Sequence, residues 1–167
     1  MKTAIYPGSF DPITLGHLNI IRRAAQIFDK VVVCVMKNRE KTPMFSIEER
    51  MELVRKVTGR FPNVEVATTD MLLAEYAKLY DGAVIVKGLR AVSDFDYEFQ
   101  IALINKKMNP NLETVFLTSS EKYTYISSSV VKEMARYGTD LRKFVPMEIL
   151  DDVVGKTKEQ EATKRGI

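Results

Sequence analysis

Val31-Val32-Val33-Cys34-Val35-Met36 is the longest apolar run in the chain. It is rich in β-branched residues and does not alternate polar with apolar side chains, which is typical of a strand buried on both faces of a parallel sheet. Segments of helical and strand periodicity alternate on either side of it. Strands are predicted near residues 2–6, 31–36, 63–67, 83–87 and 114–118, and helices near 17–28, from 47, near 70–80, 94–108, 128–137 and from Pro146.

This alternation predicts an α/β fold: a Rossmann-like, doubly wound, five-stranded parallel sheet with right-handed crossovers and helices on both faces. We expect one domain over residues 1–155, because no linker or repeat divides the chain. Residues 156–167 are charged and lack an apolar face, so we expect a frayed tail. Ligands of such sheets bind at the carboxyl ends of the strands.

The composition excludes several classes of protein. The chain has 167 residues, of which 46% are hydrophobic and 28% charged, as in ordinary globular proteins. The formal charge of +3 suits an anionic small molecule but is too weak and dispersed to indicate nucleic acid. No apolar run approaches the length of a membrane span.

The lone cysteine and the N-terminus bear on localisation. Cys34 lies within the apolar run and is interpreted as a small buried hydrophobe, so no internal disulfide is expected. Lys2 is not followed by an apolar stretch of signal-peptide length. We therefore expect a cytoplasmic protein.

The first loop, Tyr6 to His17, joins the first strand to a helix start. Backbone N–H groups and the helix dipole at such a start attract anions, and Gly8 and Gly16 allow close approach of a phosphate. His17 is the only histidine in the chain, so any imidazole chemistry must occur here. The alternative is a turn with two glycines and an incidental histidine. Neither the P-loop nor the dinucleotide-binding fingerprint is present.

Two later loops carry cations. Residues 37–45 include Lys41 and are either a solvated charged loop or, at the same sheet edge as His17, a phosphate site. Lys87-Gly88-Leu89-Arg90 leaves a buried strand. Its cations flanking a glycine favour polyphosphate binding over a lysine that merely extends into water.

Two helix starts add acids and hydroxyls. Acids at Asp94 and Asp96 complement the helix dipole, whereas Glu98 could reach a ribose hydroxyl or a metal-bound phosphate. Three serines, Ser127 to Ser129, precede an apolar run, and one of them suffices as an N-cap. The surplus hydroxyls could bind phosphate oxygens.

Together these motifs resemble the nucleotidyltransferase superfamily with an H-x-G-H signature, and within it the phosphopantetheine adenylyltransferase family. The matching segments are Pro7–Pro12, Gly16-His17, Pro43–Phe45, Lys87–Arg90, Asp94–Glu98, Ile126–Ser129 and Ser129–Glu133. They follow one order from about residue 3 to residue 150. Thr14 stands where the superfamily has its first histidine, which this branch tolerates, so His17 alone would supply the imidazole.

The resemblance implies a role for each matching residue. His17 would stabilise the transition state at the α-phosphate. ATP would be held by Ser9, Phe10, His17, Gly88, Leu89, Arg90, Glu98, Tyr123, Thr124, Tyr125, Ile126, Ser127, Ser128 and Ser129. The acceptor, 4′-phosphopantetheine, would be held by Ser9, Lys41, Leu73 and Lys87.

The implied activity is adenylyl transfer from ATP to 4′-phosphopantetheine in coenzyme A synthesis, with Mg²⁺ carried by ATP, no protein metal ligand, and a homohexamer. Alternatives within the superfamily are a nicotinamide mononucleotide adenylyltransferase and a cytidylyltransferase. A non-catalytic nucleotide-binding module on the same fold is a further alternative, since fold alone does not give function. A flavodoxin-like redox protein would instead carry a coloured cofactor.

Overall fold

The computed structural model describes residues 1–37, 42–164 and 166, with the side chains of Val92 and Ser93 left aside. Strands and helices alternate along the chain. The strands are β1 Thr3–Gly8, β2 Lys30–Met36, β3 Val64–Thr69, β4 Val84–Leu89 and β5 Glu113–Thr118. The helices are α1 Leu15–Ile27, α2 Ile47–Thr58, α3 Leu73–Tyr76, α4 Val92–Met108, α5 Ser128–Arg136 and α6 Leu150–Lys164.

The five strands form one parallel sheet in the order β3-β2-β1-β4-β5, which confirms the predicted doubly wound topology. The chain direction across the sheet reverses between β1 and β4. These two strands pair only at Ala4–Val84 and Ile5–Ile85, whereas β4 and β5 pair over six residues. Beyond Ile5 and Ile85, β1 and β4 separate, so a crevice opens at the carboxyl end of the sheet.

The core lies on both faces of the sheet, as the unalternating run 31–36 predicts. On one face, Val31, Val33 and Val35 pack with buried residues of α1, α2, α5 and α6. On the other, Val32 and Cys34 pack with α3. Cys34 is fully buried, as expected.

Two helices differ from their predictions. The segment near 70–80 forms only a four-residue α-helix followed by a 3₁₀ turn, Ala77–Leu79, and its N-cap Leu72 provides no capping side chain. The prediction that the chain frays from residue 156 is wrong as far as Lys164, because α6 continues to that residue. Lys156 contacts Glu49 and Gln160 donates to the Met44 carbonyl, so tertiary contacts hold the part of α6 that lacks an apolar face.

Candidate active site

A cavity of about 320 Å³ occupies the crevice between β1 and β4. The ends of both strands, the first turns of α1 and α5, and the first half of α4 form its walls. It brings together ten of the residues to which the resemblance assigns a role in catalysis or in binding ATP or the acceptor. These are Ser9, His17, Lys87, Gly88, Arg90, Glu98, Tyr123, Ile126, Ser127 and Ser128.

The local fold of α1 fixes the His17 imidazole. Thr14 is the N-cap of α1, and its hydroxyl accepts a hydrogen bond from the His17 backbone N–H at 3.3 Å. In return the Thr14 backbone N–H donates to Nδ1 of His17 at 3.1 Å. This is a capping box in which a histidine takes the place of the usual glutamate. Because Nδ1 accepts, the proton of the neutral ring lies on Nε2, from which it can be donated to a ligand.

The electrostatic surroundings keep this ring neutral. Burial is the largest cause, and together with the positive charges of Arg90 and Lys87 it lowers the pKa of His17 to about 4. The Phe10 ring packs edge-on against the imidazole, with the ring centroids 5.0 Å apart. At neutral pH, His17 is therefore an uncharged hydrogen-bond donor held in one orientation.

The cations of the cavity are held in place by acids of α4. Lys87 Nζ lies 3.1 Å from a carboxylate oxygen of Glu98, and Arg90 Nε lies 3.0 Å from Asp94. Arg90 also donates to the Ile126 carbonyl at 3.1 Å, which ties the end of β4 to the segment before α5. A bound polyphosphate would therefore meet cations that are already oriented.

Two glycines are required by packing within the protein. A Cβ on Gly88 would lie 2.9 Å from the Ile20 side chain, and one on Gly8 would lie 3.0 Å from the Phe10 ring. The absence of side chains at these positions lets the strand ends pack closely against α1 and the first loop. Both glycines line the cavity.

The serines at the start of α5 form more hydrogen bonds within the protein than the sequence suggested. Ser127 is the N-cap and accepts from the Val130 N–H, while the Ser128 hydroxyl donates to the Pro12 carbonyl at 2.8 Å. Ser129 lines a small neighbouring void of about 60 Å³. The hydroxyls of Ser127 and Ser128 thus serve the fold first, and the free N–H groups of this helix start are the remaining donors for an anion.

Several predicted ligand contacts lie away from the cavity walls. Phe10 is buried beneath the His17 ring, and Leu73 packs against the core cluster on the opposite face of the sheet. Tyr125 is 60% exposed and contacts Phe144. The residues Leu89 and Thr124 also do not line the cavity, and Lys41 lies outside the described residues. The roles assigned to these residues stay predictions.

Sequence reasoning missed the contribution of Thr14. The structure shows that it orients the imidazole through two contacts with Nδ1, one from its backbone N–H at 3.1 Å and one of 3.2 Å with its hydroxyl. The usable signal was the spacing of Thr14 and His17, which is that of a capping box. Asp94, which we interpreted as a dipole partner, also holds Arg90.

Neither a metal centre nor a membrane-spanning helix is found in the described part of the chain. No group of three or more His, Cys, Asp and Glu side chains there is arranged to hold a metal ion. None of the helices there has both the length and the apolar character needed to cross a bilayer.

A family profile and curated relatives both match this chain, and they indicate the same family. The family profile of cytidylyltransferase-like proteins matches residues 5–134. A phosphopantetheine adenylyltransferase of Caldanaerobacter subterraneus subsp. tengcongensis is 55% identical over 95% of this chain and 99% of its own. A protein of the same name from Clostridium botulinum, strain Alaska E43, is 52% identical over the same shares of the two chains.

A solved structure from Vibrio parahaemolyticus, assigned as a nicotinate-nucleotide adenylyltransferase, resembles the chain with a TM-score of 0.65 at 18% identity. It covers 93% of this chain and 95% of its own, and at that identity it supports the fold alone. The family profile and the two relatives, by contrast, match at the level of sequence. The chain therefore belongs to the cytidylyltransferase-like family and, within it, to the phosphopantetheine adenylyltransferases.

Proposed function

We propose that this protein catalyses the reversible transfer of AMP from ATP to 4′-phosphopantetheine, which yields dephospho-coenzyme A and pyrophosphate. The observation that carries the proposal is the convergence of a neutral, oriented imidazole at His17 with Lys87 and Arg90 in one cavity at the switch point of the sheet. The relatives that are more than half identical to the chain carry the name of this activity.

The chemistry needs no covalent intermediate. The acceptor phosphate is already anionic, so what opposes reaction is repulsion between two anions and the order required for in-line attack on the α-phosphorus. Holding both reactants in line can supply roughly 7–11 kcal/mol in ideal cases. Nε2–H of His17 would donate to the α-phosphate oxygen that gains charge, while Lys87 and Arg90 neutralise the surrounding phosphates.

The two substrates would occupy different parts of the crevice. ATP would be held by Ser9, Gly88 to Arg90, Glu98 and the segment from Tyr123 to Ser129. The acceptor phosphate would contact Ser9, Lys41 and Lys87, and Leu73 would lie along the pantetheine arm. Lys87 now pairs with Glu98, so an incoming phosphate would compete for a cation that is already oriented.

Mg²⁺ would be carried into the site by ATP. The two acids of the cavity, Asp94 and Glu98, are paired with cations, which leaves little protein charge for a dedicated magnesium site. When bound to the triphosphate, the ion would neutralise negative charge on the leaving pyrophosphate. The ligands of the metal would then be phosphate oxygens and water.

We further propose a homohexamer in the cytoplasm. The surface of α4 exposes several large apolar side chains. Their exposure to water is unfavourable in free energy for a monomer, so this surface suits contacts between subunits. They are Phe95, Tyr97, Phe99, Leu103, Ile104 and Met108, between 41% and 63% exposed. The number six comes from the family resemblance. Analytical ultracentrifugation of the Leu103→Glu variant tests the surface, since an unchanged sedimentation coefficient would exclude it from the interface.

An acceptor panel tests the function. The purified protein would be incubated with pyrophosphate, Mg²⁺ and one of dephospho-coenzyme A, NAD or CDP-glycerol, and the nucleoside triphosphate formed would be quantified. We expect ATP from dephospho-coenzyme A alone. ATP from NAD, or CTP from CDP-glycerol, would reassign the acceptor within the superfamily, and ATP binding without turnover would indicate a non-catalytic module.

A further inference from the structure

Arg50 is a buried cation that lies outside the walls of the active-site cavity. It is on α2, is only 3% exposed, and donates to three backbone carbonyls. Nη1 donates to Ser9 at 2.8 Å and to Met36 at 3.2 Å, and Nε donates to Ser46 at 3.3 Å. One side chain thus joins the first loop, the end of β2 and the N-cap of α2.

Asp11 is a buried acid beside it in the first loop and is 5% exposed. Its carboxylate accepts the backbone N–H groups of Met44 and Phe45, both at 2.9 Å. Lys132 of α5 donates to the same carboxylate at 2.7 Å. The first loop is therefore bound to the segment before α2 and to the helix that begins with the serines.

These contacts converge on the connection between β2 and α2. Arg50 bonds Met36, where the β2–α2 connection begins, and Asp11 bonds Met44 and Phe45 near its end. Arg50 also holds Ser9, which lines the active-site cavity. The proposed acceptor ligands Ser9 and Lys41 belong to the two loops that this pair of residues joins.

Packing of α2 does not by itself require Arg50. The apolar residues Leu53, Val54 and Val57 are buried and hold the helix against the sheet. A buried guanidinium carries a desolvation cost that carbonyl partners only partly offset, and its burial lowers the pKa of Arg50. A buried cation that donates to backbone carbonyls of three segments is suited to fixing the positions of those segments relative to one another.

We propose that Arg50 and Asp11 are positioning residues for the acceptor phosphate, acting through Ser9 and through both ends of the β2–α2 connection. The expected effect on the acceptor KM rests on the proposed function. The anchoring of the two loops rests on the observed contacts alone. Neither side chain would touch substrate.

The test uses Arg50→Lys and Asp11→Asn, with Thr58→Ala as the matched control. Thr58 is buried on the same helix, and within the described residues its hydroxyl bonds only the Val54 carbonyl, so its loss weakens α2 without removing a described contact to either loop. In the two site variants we expect the acceptor KM to rise about tenfold, as for the loss of one or two buried hydrogen bonds, with the ATP KM changed by less than about twofold. Thr58→Ala should lower the melting temperature and leave both KM values unchanged.

Amide hydrogen exchange supplies a readout that does not depend on activity. In Asp11→Asn the side chain keeps only one acceptor oxygen, so at least one of the Met44 and Phe45 amides should exchange about tenfold faster than in the Thr58→Ala control. Unchanged exchange at these amides would overturn the inference, and so would a melting temperature that falls with no shift in the acceptor KM. An inactive wild-type protein would refute the proposed function, and the exchange rates would still decide whether the anchoring exists.

Discussion

Two cavities near α5 differ in size and in what forms them. The larger, about 590 Å³, lies between α5, α6 and residues 42–44, and helix side chains form most of its wall. The smaller, about 320 Å³, lies where β1 and β4 separate and is lined by strand ends, helix starts and His17. Three of the four cations in the larger cavity, Lys132, Lys156 and Lys164, pair with acids of the protein.

The difference teaches that the groups a cavity brings together single out a candidate site better than its volume does. The smaller cavity has backbone donors at two helix starts, cations that point from β4, and the single imidazole of the chain. Transition-state stabilisation needs such fixed donors aimed at one point. The larger cavity has space and charge but no comparable convergence of backbone elements.

The largest effect is expected from His17→Ala. Removal of the donor to the α-phosphate should lower kcat by about two to three orders of magnitude, as loss of one oxyanion donor does elsewhere, with a smaller change in the ATP KM. Steady-state kinetics in the direction of ATP formation would measure it. Full turnover by the variant would remove His17 from the mechanism and would weaken the case for the smaller cavity.

The next effect concerns acceptor binding. Lys41→Ala should raise the phosphopantetheine KM by about 10- to 100-fold, the cost of one charge-assisted hydrogen bond, and the ATP KM by less. Lys37→Ala is the matched control, because Lys37 is an exposed cation of the same connection. A larger rise in the ATP KM than in the acceptor KM would contradict the assignment of Lys41.

A smaller effect is expected from pH, and the imidazole signal reports on the smaller cavity because His17 is the only histidine. An NMR titration should give an imidazole pKa of about 4, well below the ordinary 6.5, and the Nε2–H tautomer. Because the unfolded chain binds the proton first, stability should be lost as pH falls from 6.5 to 4, by up to about 3 kcal/mol. A pKa near 6.5 would mean that the ring is solvated and unrestrained.

The sequence predicted the sheet and the location of the site through different signals. The buried run 31–36 and the strand–helix alternation determined the topology, because apolar periodicity reports directly on burial. The meeting of His17, Lys87 and Arg90 followed from the rule that parallel strands end at one edge. The roles of these residues in catalysis came from the resemblance and stay predictions.

Other features could not be read from the sequence. The contact of Arg50 with Ser9 and those of Asp11 with Met44 and Lys132 join residues 33 to 121 positions apart, and no local pattern encodes such pairings. The extent of α6 depends on Gln160 and Lys156 finding partners near residues 44 and 49. Tertiary contacts decide these cases, and propensity does not.

The smallest effect is expected in the larger cavity. Arg136 lines it, is exposed and forms no ion pair within the described residues, so it is the cation there that is best placed to meet an anionic ligand. If catalysis is confined to the smaller cavity, Arg136→Ala should change kcat and both KM values by less than about twofold, as for an ordinary surface substitution. Parallel assays with His17→Ala would measure this contrast. A tenfold change in either KM would indicate that a ligand enters the larger cavity, because Arg136 lines that cavity and is not among the described residues that line the smaller one.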